Sequence, residues 1–227
     1  MKIIAERLKN IRKTIKQSAL EANRLPNDVQ LLAVTKNKPV SDIVNAYEAG
    51  QRLFGENYVQ QGLEKIQALA EKDDIVWHFI GPLQSNKTRL VAEHFDWVQS
   101  VDRLKIAQRL NEQRSPFKQL NVCIQVNINA EQSKAGVMPD EVNNFAQEIS
   151  RLPQLKLRGL MAIPAASQST LEQVQSFTRM QQLFQALQGK YENIDTLSMG
   201  MSADMPLAIK HGATMVRIGS AIFGARS

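Results

Sequence analysis

The feature that most constrains the fold is a regular alternation of short strand-forming runs with longer amphipathic helical runs. The predicted strands span residues 29–35, 52–56, 75–81, 96–101, 120–128, 155–163, 196–200 and 215–219. Strands that alternate with helices predict a parallel sheet whose connections are helical crossovers. Eight such units predict a closed (β/α)8 barrel, and 227 residues suffice for a compact one.

An open, doubly wound α/β sheet is the structural alternative. Such a fold normally carries a glycine-rich phosphate turn after its first strand. Here the first strand runs into TKNKP, residues 35–39, which contains no glycine. The sequence therefore favours an α/β fold made of a single (β/α)8 TIM barrel over residues 1–227. An extra N-terminal helix within residues 1–24 is expected to pack on the barrel.

The ends of several helices are readable from capping residues. Ser41 is expected to cap the start of one helix, and Gly50 to stop it. Asp102 is expected to cap the helix that begins RLKIAQRL.

The net charge of +6 invites a nucleic-acid hypothesis. Much of the excess lies in the first helix, whose other face is an apolar stripe at helical spacing. No RNA-binding motif or aromatic platform accompanies the basic residues, so we interpret them mostly as a solvated face and predict no nucleic-acid partner. A weak anionic partner stays open. The basic residues are Lys2, Arg7, Lys9, Arg12, Lys13 and Lys16, and the stripe is Ile4, Leu8, Ile11 and Ile15.

The single cysteine and the lack of a long apolar segment bear on where in the cell the protein is expected to reside. Cys123 is the only cysteine, so no internal disulfide can form, and it is expected to pack in the core. The N-terminus lacks the apolar stretch of a signal peptide, and no segment has the length that a membrane span needs. We therefore expect a cytoplasmic protein without membrane contact.

The stretch LLAVTKNKP, residues 31–39, places Lys36 at the end of an apolar strand. A buried ammonium is costly unless it is paired or loses its proton. Two interpretations follow. Either the strand has ended and Lys36 reaches water, or Lys36 is a nucleophilic amine for an aldehyde.

In a barrel, functional residues collect at the C-terminal ends of the strands. Strand seven runs into SMGMSAD and strand eight into RIGSAIFGAR. Small residues there let backbone amides approach an anion, and serines add hydroxyl donors. Ordinary turns are the alternative to a phosphate site. The residues proposed for the phosphate are Ser198, Gly200, Ser202, Gly219 and Ser220.

Arg217 alternates with apolar neighbours along strand eight and is expected to point into the barrel mouth. A buried guanidinium needs an acceptor, either an internal carboxylate or a ligand atom. In a closed barrel Lys36, Arg217 and the phosphate residues are neighbours. Pyridoxal 5′-phosphate carries the aldehyde, ring nitrogen and phosphate that would satisfy all three. Because arginine does not surrender a proton, the ring nitrogen would stay unprotonated, and most amino-acid chemistry would be driven poorly.

The motifs AVTK, FGENYVQ, WHFIGPLQSNK, GLMAIP, LSMGMSADMPLAI and GATMVRIGSAIFGAR resemble the YggS/PROSC family of pyridoxal phosphate homeostasis proteins. The resemblance runs from about residue 30 to the C-terminus. It implies a barrel like the N-terminal domain of alanine racemase, with pyridoxal phosphate held as a Schiff base on Lys36. It also implies Arg217 at the ring nitrogen. The phosphate would be held by Ser198, Met199, Gly200, Ser202, Gly219 and Ser220.

Several other polar residues allow a functional or a purely structural interpretation. Asn57 either faces the phenolic oxygen of the cofactor or orders its own loop. His78 and Tyr58 could supply an acid or base, although a packed barrel histidine is favoured for His78. Gln61 stands where the family more often has Glu and is expected on the helix surface. Lys134 could pass the cofactor onward, but an exposed loop lysine is the simpler interpretation.

The resemblance implies a non-enzymatic protein that adjusts the supply of the cofactor inside the cell. A pyridoxal-phosphate-dependent racemase-like enzyme is the alternative, and a lysine-dependent aldolase is a third hypothesis. Alanine racemases add a β-rich second domain that completes their site, and this chain ends at Ser227. We therefore expect a monomer, with pyridoxal-phosphate-dependent apo-enzymes as possible partners.

Overall fold

The computed structural model describes residues 2–164 and 169–224. Eight strands close a barrel in chain order, and every pairing between neighbours is parallel. The predicted (β/α)8 fold is therefore confirmed. The strands are β1 (Gln30–Val34), β2 (Leu53–Glu56), β3 (Val76–Phe79), β4 (Trp97–Val101), β5 (Leu120–Gln125), β6 (Leu155–Met161), β7 (Thr196–Ser198) and β8 (Met215–Ile218).

Helices connect the strands and cover the outside of the barrel. Two short 3₁₀ turns, Pro26–Asp28 and Ser85–Lys87, precede β1 and the fourth helix. The helices are α1 (Lys2–Glu21), α2 (Val40–Glu48), α3 (Val59–Ala68), α4 (Thr88–His94), α5 (Leu104–Gln113), α6 (Val142–Ser150), α7 (Thr170–Gln188), α8 (Met205–Lys210) and α9 (Ser220–Phe223).

Residues along each strand alternate between the helix layer and the barrel interior, as the pleat requires. In β1, Leu31 and Ala33 pack with the large core shared by strands and helices. Leu32 packs instead with Ile80 and Met215 inside the barrel. The alternation decides which residues beyond the strand ends face the cavity described below.

A second interior cluster confirms the core position of the single cysteine. Cys123 is fully buried and packs with Trp97 and Met161. Burial raises the pKa of its thiol, so it stays protonated and unreactive at neutral pH.

Two of the three helix-end predictions are wrong. The α2 helix starts at Val40, directly after Pro39, so Ser41 lies inside the first turn and not at the cap. Proline already has the φ angle that suits the start of a helix, and the helix begins two residues earlier than a cap at Ser41 would place it. Likewise Arg103 occupies the position before α5, and the Asp102 carboxylate accepts a hydrogen bond from Arg103 Nε at 3.0 Å. Gly50 does end its helix, with φ of 82°.

Helix α1 packs on the barrel as predicted, because Ile4, Leu8, Ile11 and Ile15 are all buried. Its basic residues are mostly solvated, as expected, but two of them also make contacts with the barrel. Arg7 NH1 donates to the carbonyl of Ile222 in α9 at 3.2 Å, and Arg12 NH1 donates to the carbonyl of Ala49 at 2.9 Å. These two arginines attach α1 to the barrel, whereas Lys9, Lys13 and Lys16 are exposed.

The described helices include none with the length and apolar character to cross a lipid bilayer.

Candidate functional site

A cavity of about 250 Å³ opens at the C-terminal end of the barrel. It is lined by six of the predicted site residues, by Lys38 and by a set of mainly apolar residues. A larger groove of about 700 Å³ lies outside the barrel between α3 and α4 and contains none of the six. The six residues are Lys36, Asn57, Ser202, Arg217, Gly219 and Ser220.

Strand alternation explains why Lys36 reaches this cavity. Leu32 and Val34 face the barrel interior, and Lys36 follows them on the same face two residues further on. The Lys36 ammonium has no hydrogen-bond or ion-pair partner among residues 2–164 and 169–224. The side chain is partly buried and its amine is available to a ligand.

The neighbours of Lys36 that face the helix layer form a buried charged cluster. Lys65 Nζ donates to Glu56 Oε1 and to the Thr35 carbonyl, both at 2.7 Å. The Thr35 hydroxyl donates to the same Glu56 oxygen. Burial raises the pKa of Glu56, and the hydrogen bonds and charge of Lys65 oppose that effect.

Our sequence reasoning missed this cluster, although a signal was present. Lys65 falls three residues after Gly62 and four before Leu69, so it shares their face of α3. Gly62 and Leu69 are buried against the barrel, and so is Lys65. A lysine on the buried face of a helix requires an acidic partner, which the Glu of FGEN supplies.

Asn57 lies at the cavity wall on the loop between β2 and α3. Its Oδ1 atom is buried and has no hydrogen-bond partner in the described part of the chain. A buried polar atom without a partner is costly, and a ligand in the cavity can supply the missing donor. Gly81 holds the loop closely, because a Cβ there would lie 2.0 Å from the Asn57 carbonyl oxygen.

Arg217 is only 5% exposed and lies at the base of the cavity, as predicted. Its NH1 donates to the carbonyl and the hydroxyl of Ser198, at 2.7 and 2.8 Å. Its NH2 donates to the carbonyl of Ala162 at 2.8 Å. These acceptors are all neutral. Burial lowers the pKa of Arg217 to about 10, so it remains a cation at neutral pH, and Asp204 acts on it only from a distance.

Ser198 belongs to a hydrogen-bond chain inside the barrel and does not line the cavity. Its hydroxyl donates to Gln99 Oε1 at 2.6 Å. The Gln99 amide nitrogen then contacts His78 Nδ1 at 2.9 Å. The chain runs from Arg217 through Ser198 and Gln99 to His78, and it fixes the orientation of the guanidinium.

The other residues predicted near the phosphate divide into two sets. Ser202, Gly219 and Ser220 line the cavity. Met199 is fully buried in the core between barrel and helices, and the Gly200 carbonyl accepts the Arg217 backbone N–H at 3.0 Å. Strand β7 ends at Ser198, and of the predicted residues that follow strand β7, Ser202 reaches the opening, beside Met201.

His78 is a packed barrel histidine, as predicted. It is fully buried and stacks on Trp97 with ring centroids 5.0 Å apart. Because the Gln99 amide donates to Nδ1, the ring proton is on Nε2, which has no partner among the described residues. Burial, assisted by the charge of Arg158, lowers the pKa of His78 to about 3. Neither His78 nor the half-exposed Tyr58 lines the cavity.

The buried state of His78 predicts a pH dependence of stability. The pKa of His78 in the folded protein is about 3, below the ordinary value of 6.5. Between these two pH values the histidine binds a proton in the unfolded chain but not in the folded one. The contribution of His78 to the free energy of unfolding is fully present above pH 6.5, the pKa in the unfolded chain. It is lost progressively as the pH falls toward about 3, the pKa in the folded chain. Between about pH 7.5 and pH 5 we expect the free energy of unfolding to drop by about 2 kcal/mol through this residue.

Urea unfolding at several pH values measures this drop, with His78→Gln as the matched control because glutamine keeps an acceptor for Gln99 and does not titrate. The variant is expected to lose about 2 kcal/mol less than the wild type over the same range. Parallel pH profiles for the two proteins would contradict the assignment.

Two further expectations are modified by the structure. Gln61 is partly exposed, but it is not a plain surface residue. Its side chain accepts from the Asn37 backbone at 3.2 Å and donates to Asn37 Oδ1 at 3.0 Å, so it holds the turn after Lys36. Lys134 forms an ion pair with Glu131 at 2.7 Å and is about one-third exposed.

The described residues contain no group of three or more His, Cys, Asp or Glu side chains that could hold a metal ion. The groups available at this opening are the Lys36 amine, which has no partner in the described part of the chain, the buried Arg217 cation, the hydroxyl groups of Ser202 and Ser220, and a second lysine, Lys38.

Comparison with known proteins identifies relatives along almost the whole chain. Residues 7–227 match the family described as alanine racemase, N-terminal domain. A "Pyridoxal phosphate homeostasis protein" of Haemophilus influenzae is 58% identical over 228 residues, which cover 99% of this chain and 96% of that protein. One from Escherichia coli is 52% identical over 229 residues, covering 100% of this chain and 98% of that protein.

Solved structures similar to this chain come from the same group of proteins or share its fold. PipY of Synechococcus elongatus without pyridoxal phosphate is 40% identical, with a TM-score of 0.84 and coverage of 97% of this chain and 100% of that chain. PipY has also been solved with pyridoxal phosphate bound, at 38% identity, a TM-score of 0.83 and the same coverage. Alanine racemase from Corynebacterium glutamicum is similar in fold, with a TM-score of 0.71 at 17% identity. This chain covers 61% of the racemase, and the racemase matches 99% of this chain.

Identity above 50% over nearly the full length of both proteins is decisive about family membership. The chain belongs to the pyridoxal phosphate homeostasis proteins, within the family of the alanine racemase N-terminal domain.

Proposed function

We propose that this protein binds pyridoxal 5′-phosphate in the cavity at the barrel mouth, covalently through Lys36, and serves intracellular pyridoxal phosphate homeostasis. The observation that carries the proposal is the convergence of Lys36, Arg217 and the Ser202, Gly219 and Ser220 group on one cavity of about 250 Å³. An amine, a cation and hydroxyl donors match the three functional groups of this cofactor.

Lys36 supports the covalent part of the proposal. When bound, pyridoxal phosphate supplies an aldehyde that condenses with a primary amine, with loss of water. Lys36 provides such an amine, partly shielded from solvent and without a competing carboxylate partner among the described residues. The alternative interpretation is that Lys36 follows the end of the strand and simply reaches water. Its place in the cavity wall argues against that alternative.

The wall next to Lys36, at the ends of β7 and β8, is assigned to the phosphate. Ser202 and Ser220 carry hydroxyl donors, and Gly219 leaves room for close approach to its backbone. A Cβ at position 219 would lie 3.3 Å from the Val34 carbonyl oxygen, so a larger residue would crowd this wall. Arg7 donates to the Ile222 carbonyl and so fastens the segment that follows Ser220 to α1.

Arg217 is assigned to the ring nitrogen and favours a non-catalytic role. It stays protonated at neutral pH and can only donate, so a ring nitrogen facing it remains an acceptor without a proton. An unprotonated ring withdraws electrons weakly, and amino-acid chemistry depends on that withdrawal. Asn57, with its unpartnered Oδ1, is assigned to a polar group on the ring.

The remaining parts of the proposal concern how the protein works. We infer that it operates without turnover, because His78 and Tyr58, the acid–base candidates from the sequence, do not line the cavity. We further propose one barrel domain over residues 1–227, a cytoplasmic monomer, and pyridoxal-phosphate-dependent apo-enzymes as recipients.

Titration of the cofactor-free protein with pyridoxal phosphate tests the proposal. A new visible absorption band should appear, and borohydride followed by peptide mass analysis should locate the adduct on Lys36. Pyridoxine 5′-phosphate, which lacks the aldehyde, is the matched control and should bind without an adduct. An adduct on another lysine, or none, would overturn the proposal. Racemisation of L-alanine faster than by free cofactor would instead support the racemase-like alternative.

A further inference from the structure

The buried cluster of Thr35, Glu56 and Lys65 lies directly behind the cavity wall. Thr35 and Glu56 face the helix layer, and the next residue of each strand, Lys36 and Asn57 respectively, lines the cavity. Lys65 reaches from α3 to both strand ends at once. The cluster therefore connects the two strands at the point where each one contributes a residue to the site.

Fold stability alone does not explain this cluster. A buried ion pair is often no more stabilising than apolar side chains of the same volume, because both charges lose their hydration. Here the cost is raised further, since Glu56 is fully buried and its Oε2 has no partner among the described residues. The neighbouring positions of the same layer are occupied by apolar residues such as Ala33 and Phe54.

The contacts show what the cluster fixes. The Thr35 carbonyl that accepts from Lys65 belongs to the peptide bond leading into Lys36. The Thr35 N–H donates to the Gly55 carbonyl at 2.9 Å, and the Thr35 hydroxyl also reaches toward that oxygen, at 3.3 Å. Residue 35 is thus held by three partners: its backbone N–H by Gly55, its backbone carbonyl by Lys65 and its side-chain hydroxyl by Glu56. The Lys36 side chain has no such contacts with the described residues, so the position of its amine depends on where this backbone places its Cα.

We propose that Lys65 and Glu56 are positioning residues for Lys36. They hold the end of β1 against β2 so that the amine stands at the depth at which a ligand held by the neighbouring ends of β7 and β8 presents its aldehyde. The inference rests on the proposed function, because it concerns the rate at which Lys36 captures an aldehyde. Misplacement of a reacting group by about 1 Å is enough to slow a reaction by up to roughly 100-fold.

The test separates capture from binding. The rate of covalent capture of pyridoxal phosphate is measured by stopped-flow absorbance, and the affinity for pyridoxine 5′-phosphate is measured by calorimetry. Lys65→Met and Thr35→Val are expected to slow capture about 10-fold or more. Their affinity for pyridoxine 5′-phosphate should stay at the wild-type value, because this ligand has no aldehyde and does not engage the Lys36 amine covalently.

Matched variants guard against simple misfolding. Thr35→Ser keeps the hydroxyl and should restore wild-type capture. The double variant Glu56→Gln, Lys65→Met removes both charges, so it folds without an unpaired buried ion, yet it should remain slow. Amide hydrogen exchange of the cofactor-free proteins should show faster exchange at the end of β1 in the slow variants only.

The possible outcomes distinguish a failure of the positioning role from a failure of the proposed function. Wild-type capture rates in Lys65→Met and in the double variant would overturn the positioning role while leaving the proposed function intact. An equal loss of capture and of pyridoxine 5′-phosphate affinity would also overturn it, because the cluster would then merely support the fold. If the wild-type protein itself forms no adduct on Lys36, the proposed function fails first.

Discussion

Replacement of Lys36 by alanine is expected to abolish covalent attachment of pyridoxal phosphate completely. Most of the remaining polar residues of the cavity offer hydroxyl, amide or guanidinium groups, which do not substitute for the Lys36 amine as a nucleophile toward the aldehyde. Lys38 also lines the cavity, but it already has an interaction partner, so we expect no adduct there. The visible absorption band should disappear, and borohydride should yield no adduct in the peptide that contains residue 36. Noncovalent binding should persist, because Arg217 and the Ser202, Gly219 and Ser220 wall are untouched.

Lys16→Ala is the matched control, since Lys16 is an exposed lysine of α1. It should capture the cofactor like the wild type. A Lys36→Ala protein that retained the full absorption band would mean that another lysine holds the cofactor, and the assignment of the site would be wrong.

Replacement of Arg217 by methionine is expected to weaken pyridoxine 5′-phosphate binding by about 10- to 100-fold, since a hydrogen bond from a charged group contributes about 1.5–3 kcal/mol. The variant should also lower the free energy of unfolding by about 1–3 kcal/mol. The reason is that the carbonyl oxygens of Ala162 and Ser198 lose their donor inside the barrel. Calorimetry measures the first effect and urea unfolding the second.

Two controls accompany this prediction. Arg179→Met removes an exposed arginine from α7 and should change neither quantity. Arg217→Lys keeps the positive charge but presents a single nitrogen in place of the planar fork, so it should recover only part of the affinity. Wild-type affinity in Arg217→Met would show that the guanidinium serves the barrel interior and does not contact the ligand.

Much of the fold was readable because its signal is local. Eight strand-forming runs separated by amphipathic helices leave few arrangements other than a parallel barrel. The alternation along β1 and β8 also places Lys36 and Arg217 on interior faces, since side chains on a strand alternate strictly. The apolar stripe of α1 was equally readable from its spacing, and all four of its residues are buried.

The predictions that differ from the structure concern the exact start of a helix or the hydrogen-bond partner of a single side chain. Ser41 and Asp102 are good capping residues by type, yet Pro39 and Arg103 occupy the positions before the two helices. By residue type Ser198 is a hydroxyl donor for a phosphate, in a stretch of small residues at the end of strand seven. It bonds instead to Gln99, which is 99 residues away in the chain. Gln61 does lie on the helix surface, and no sequence pattern indicated that it also bonds to the Asn37 turn on another element.

By itself the sequence determined the barrel, the interior orientation of Lys36 and Arg217, and the apolar face of α1. These features depend on periodicity and on the chemistry of single residue types. Only the tertiary structure decided that Ser202 and not Ser198 reaches the cavity, that His78 is neutral within a hydrogen-bond chain, and that Lys65 supports the end of β1. Each of these depends on a distance between elements remote in sequence, and hydrogen bonds and desolvation change steeply over an ångström, which residue spacing does not resolve.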